Sequence, residues 1–129
     1  ALVPVTFGND DRAIAAATGG VALCDRSHWG RIQLSDADCK TFVHNQTTND
    51  FNRLKPGDGC LTLFVTSTAR TIDLATALIL DDAVLLIVSP QRRETLMQWC
   101  DRYIFFGDKV KLEDVSDRTA LFSLVGPES

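Results

Sequence analysis

Residues 60–88 constrain the fold most tightly. Apolar and polar residues alternate over 60–66 and over 70–80, and after Asp81-Asp82 a continuous apolar run fills 83–88. A period of two sends successive side chains to opposite faces of a strand. Short polar connections join such strands antiparallel, whereas parallel pairing needs a long crossover. Strand following strand in this way predicts an α+β fold, a mostly antiparallel sheet with covering helices.

The flanking segments supply those helices. Asn9, with Asp10 and Asp11 behind it, is placed to cap a first helix that Gly19-Gly20 stops. Strands follow over 21–25 and 28–34, with Gly30, Ile32 and Leu34 on one face and Trp29, Arg31 and Gln33 on the other. Ser35-Asp36-Ala37-Asp38 reads as a capping sequence for a second helix, whose apolar stripe is Cys39, Phe42 and Val43. The polar stretch 45–59 is a long loop or hides a short helix, and it ends in a Lys55-Pro56-Gly57-Asp58-Gly59 turn. Ser89-Pro90 opens the clearest helix, with Leu96, Trp99, Cys100 and Tyr103 on its apolar face. The stretches 110–115 and 119–125 read as a last strand pair, and Arg92-Arg93-Glu94 as a solvated helix face. No linker or repeat divides the chain, so residues 1–129 are expected to form a single domain.

Charge narrows the function. A net charge of −4 with scattered basic residues lacks the clustered Lys and Arg that phosphate recognition requires, so direct nucleic-acid binding is not expected. The longest apolar run is far shorter than the ~20 residues of a membrane-spanning helix. Cys24, Cys39, Cys60 and Cys100 lie far apart, which reads as free thiols in a reducing compartment. Cys24, His28, Cys39 and His44 match no tight chelating spacing, and no metal site is expected. Ser27-His28 lacks an oriented third partner, and neighbours on a strand face opposite ways, which argues against nucleophilic chemistry there. The chain starts at Ala1 without Met, which fits a natural short protein, a fragment or a processed product.

Three segments carry a family resemblance. They are Asp25-Arg26-Ser27-His28-Trp29-Gly30; Phe42-Val43-His44-Asn45-Gln46-Thr47-Thr48-Asn49-Asp50 followed by Pro56-Gly57; and the stretch 120–127, which ends in Gly126-Pro127. Occurring in this order, they resemble the N-terminal part of the folate-binding aminomethyltransferase-like (GcvT/YgfZ-like) family. The likeness is greatest to YgfZ-like members of photosynthetic lineages, through 68–73 and Tyr103-Ile104-Phe105-Phe106. That branch's lysine-glycine-cysteine-tyrosine signature, which lies in a later segment, does not occur in residues 1–129.

The resemblance implies tetrahydrofolate as the ligand. It favours a YgfZ-like module supporting iron–sulfur protein maintenance and not catalytic by itself, whereas the missing later segment and the substituted pocket residues favour a non-catalytic accessory subunit docked in a larger, organellar assembly. An autonomous aminomethyltransferase ranks below both. Plastid stroma is the implied location, with cytoplasm the alternative, and the implied partners are other protein subunits or a C-terminal portion. Trp29, Phe51, Phe105 and Phe106 are the candidate docking side chains. Family T-proteins have tyrosine where Leu61 stands, asparagine near Ser89, and an aspartate pair that falls on Asp73 and Leu74, whose second carboxylate serves the folate site. Asp73 is thus the catalytic candidate, although alternation points it away from that second position unless a bulge re-aims it. Its alternative is a strand-end carboxylate satisfied by a backbone donor or by Arg70. Asn49 and Asp50 are the folate-binding candidates, against a purely local role in a turn.

Overall fold

A computed structural model describes residues 2–129; Ala1, the start noted above, lies outside the described residues. The described chain divides into two compact units, residues 29–118 and residues 2–28 together with 119–129.

The larger unit is an antiparallel sheet of β2 (Gly30–Ser35), β3 (Gly59–Val65), β4 (Thr71–Ile79), β5 (Ala83–Val88) and β6 (Lys111–Asp114), in the order β3-β4-β5-β2-β6. Leu80 N–H donates to the Ala83 carbonyl at 2.8 Å and closes the tight turn at Asp81-Asp82. Two helices, α2 (Cys39–Gln46) and α3 (Arg93–Tyr103), cover one face. Cys39, Phe42 and Val43 from α2 and Leu96 and Cys100 from α3 join Ile32, Leu34, Phe64, Ala75, Ala77, Val84 and Leu86 in a single core. Trp99 and Tyr103 pack at its margin, and the Trp99 ring meets Phe64 edge-on with centroids 5.7 Å apart. The fold is α+β, as the alternation predicts.

The second unit consists of α1 (Asp10–Gly19) and a two-stranded antiparallel ribbon of β1 (Ala22–Asp25) and β7 (Phe122–Val125). Gly20 N–H donates to the Ala16 carbonyl and stops α1. Gly126, at φ +135°, lies so close to the Gly20 carbonyl that a Cβ there would strike it.

Several sequence expectations are corrected. The stretches around 110–115 and 119–125 do not pair with each other: β6 bonds to β2, β7 bonds to β1, and a 3-10 turn at Ser116–Arg118 separates them. Neither Asn9 nor Asp38 caps its helix through its side chain. Ahead of α1 the Thr6 hydroxyl bonds to the Asp10 side chain and accepts Gly8 N–H at 3.0 Å. The Asp38 carboxylate instead accepts Lys109 N–H at 3.0 Å, tying α2 to the approach to β6. Residues 47–58 hold no helix, and Phe51 within them is fully buried, so it is a core residue and not a docking side chain. Arg93 is more than a solvated face: its Nε lies 3.3 Å from Asp114.

One close approach in the larger unit sits where α3 begins. A Cβ on Gly30 would lie 2.7 Å from Val88 Cγ2 and 3.0 Å from Arg93 Cβ. Val88 is buried and stiff at χ1, so Gly30→Ala should lower the free energy of unfolding by about 1–3 kcal/mol through overpacking, measured as a fall in the urea midpoint at unchanged slope. Cys100 offers a second test, because burial pushes its thiol up to about 12. The unfolded chain releases this proton near an ordinary thiol value of about 8.5, while the folded chain keeps it. Stability should therefore be complete below that value and fall as pH rises toward 12, and a urea series across alkaline pH should show a shallower fall for Cys100→Ala.

Candidate functional site

The site candidates converge on β4 and the strand beside it. Pairing with β3 runs in register from Gly59↔Leu78 to Phe64↔Asp73, then shifts so that Val65 faces Thr71. The extra residue is Ile72, a bulge directly before Asp73. It does not re-aim the carboxylate. Asp73 stays opposite Phe64, on the helix-covered side with Ala75, Ala77 and Ile79, and only 9% of it is exposed. Its Oδ2 accepts Ser89 N–H at 2.8 Å and its Oδ1 accepts the Ser89 hydroxyl at 2.7 Å. Ser89 ends β5 and opens the Pro90–Arg92 turn that leads into α3. The donors are thus Ser89's own groups, and not Arg70.

Leu74 takes the opposite face. It is half exposed and pairs with Leu63, while Leu61 pairs with Thr76 one step along and is 59% exposed. Leu61, Leu63 and Leu74 make an apolar platform on β3 and β4 that carries no carboxylate.

The loop after α2 frames this platform. β3 is an edge strand, and its outward backbone groups need partners. Thr48 N–H donates to the Leu63 carbonyl at 3.2 Å, Leu63 N–H donates to the Thr48 hydroxyl at 3.2 Å, and Asn49 Nδ2 donates to the Leu61 carbonyl at 2.8 Å. Asn49 Oδ1 also accepts Asp50 N–H at 2.8 Å, and Asp50 Oδ1 accepts Asn52 N–H at 3.0 Å. Both residues thus make the local turn bonds typical of Asn and Asp, and both stand beside the platform through the bond to Leu61. Asp73 does not join this network; both its oxygens are taken by Ser89. His44, at the end of α2, joins the loop as well, since its Nδ1 accepts Phe51 N–H at 3.1 Å.

Sequence reasoning named Ser89 and His44 but missed the bonds they make, to Asp73 and to Phe51. A serine before a proline at a strand–helix junction is a usable signal for a carboxylate partner, but the bond from Phe51 back to His44 joins an irregular loop to a helix end, which no periodicity describes.

The Ser27 hydroxyl accepts Leu121 N–H at 3.1 Å within the smaller unit. Among the described residues no three His, Cys, Asp or Glu side chains are grouped to hold a metal ion, and no helix is long and apolar enough to cross a membrane.

The model of the GCVT N-terminal domain matches residues 4–129. The chain belongs to that family. A protein of Arabidopsis thaliana bearing the name "putative transferase, chloroplastic" is 49% identical over 124 residues, covering 96% of this chain and 29% of that protein. The aminomethyltransferase of Desulforamulus reducens is 30% identical over 132 residues, covering 99% of this chain and 35% of that one. The crystal structure of the glycine cleavage system aminomethyltransferase T from Bartonella henselae superposes with a TM-score of 0.81 at 17% identity, over 91% of this chain and 32% of that one, and so shares its fold. This GCVT N-terminal domain spans about a third of the length of the relatives it matches.

The Asp73–Ser89 contact in this GCVT N-terminal domain can be tested directly. Asparagine offers one acceptor where the carboxylate offers two, so Asp73→Asn leaves one Ser89 donor facing an amide. A loss of about 1–3 kcal/mol is expected, with Ser89→Ala costing less. The double variant should fall short of the sum, because both changes act on the bond between the Ser89 hydroxyl and Asp73.

Proposed function

We propose that this chain supplies one wall of a tetrahydrofolate site in a YgfZ-like protein that supports iron–sulfur protein maintenance, and that by itself it transfers no one-carbon unit. The observation that carries this reading is the division of labour at Asp73 and Leu74. The face that bears Leu61, Leu63 and Leu74 has the flat, apolar character that suits an aromatic ring, and Asn49 and half-exposed Asp50 stand at its edge as polar groups for orientation. It lacks the carboxylate that proton transfer would need. Asp73 is proposed as a positioning residue for the β5–α3 corner, since both its oxygens are spent on Ser89. The chloroplastic name of the Arabidopsis relative supports a location in the plastid.

A second reading, a non-catalytic accessory subunit held in a larger assembly, is favoured by the surface. Phe105 and Phe106 are exposed, as are Leu23, Phe122 and Leu124 on one face of the β1–β7 ribbon. Scattered apolar residues are normal, but a ribbon face of this kind invites a protein partner.

Titration of the isotope-labelled chain with tetrahydrofolate separates the readings. Weak binding, no tighter than roughly the millimolar range, is expected to shift resonances of Leu61, Leu74 and Asn49, and turnover with an aminomethyl donor should be absent. Micromolar binding would contradict the expectation of an incomplete site. Turnover abolished by Asp73→Asn would overturn the non-catalytic reading. Absence of any shift on the platform would favour the accessory subunit.

A further inference from the structure

We draw no further inference here: the strongest candidate, the cavity between the start of α2, the β4–β5 turn and the start of β6, where Asp36, Asp81 and Asp82 stand beside Lys40 and Lys111, is a cluster of acidic side chains at a helix N-terminus, and nothing in the structure shows what would fill it.

Discussion

Alternation along β4 controls which side chains the sheet offers on each face. The register with β3 and β5 places Asp73, Ala75, Ala77 and Ile79 under the helices and Leu74, Thr76 and Leu78 on the opposite side. A shift of one residue would exchange the two sets and push a carboxylate through to the platform while sending Leu74 into the core. The bulge at Ile72 absorbs one residue before Asp73 and leaves the pairing of 73–78 intact. Burial fixes this choice: Ala75 and Ala77 are fully enclosed beneath α2 and α3, where larger neighbours from the other face would not fit.

The loop between α2 and β3 follows from the same sheet. β3 is the outer strand, and without partners its carbonyls and amides would be open to a further strand. Thr47 bridges to Phe64, and Thr48 and Asn49 bond to Leu63 and Leu61, so the loop closes the edge while holding polar side chains next to the platform. Edge protection and presentation of Asn49 and Asp50 therefore rest on the same hydrogen bonds. An alteration of Asn49 acts on both, because it frees the Leu61 carbonyl as well as the amide.

Much of this was legible in the residues. Period-two alternation gave the strands of 60–80 and the apolar run that of 83–88, and the stripes Cys39-Phe42-Val43 and Leu96-Cys100 named the buried helix faces because each period reports one local geometry. The partners of β6 and β7 were not legible. Both are short strands at the ends of sheets, and pairing with β2 and β1 depends on contacts about 80 to 100 residues apart that leave no local pattern. The site was half legible. Alternation alone turned Asp73 away from Leu74, but the two bonds from Ser89 and the link from His44 to Phe51 join elements that only the folded chain brings together.

The two units rest on different terms. In residues 29–118 the hydrophobic core supplies the favourable free energy, and polar groups such as Asp73 are enclosed with their bonds made. In residues 2–28 and 119–129 none of the described side chains is buried. What orders that unit on its own account is hydrogen bonding: the β1–β7 ladder, Arg26 N–H to the Leu121 carbonyl at 2.8 Å, Glu128 N–H to the Gly20 carbonyl at 3.0 Å, and the side-chain bonds of Ser27 to Leu121 N–H and of Arg26 to Ser123, each at 3.1 Å. Each such bond contributes a net of only about 1 kcal/mol against water, while fixing each residue's backbone costs a comparable amount. A two-stranded ribbon with its leucines in water is marginal by that account. Leu23, Phe122 and Leu124 are each more than half exposed, so most of the hydrophobic free energy they could contribute is unused.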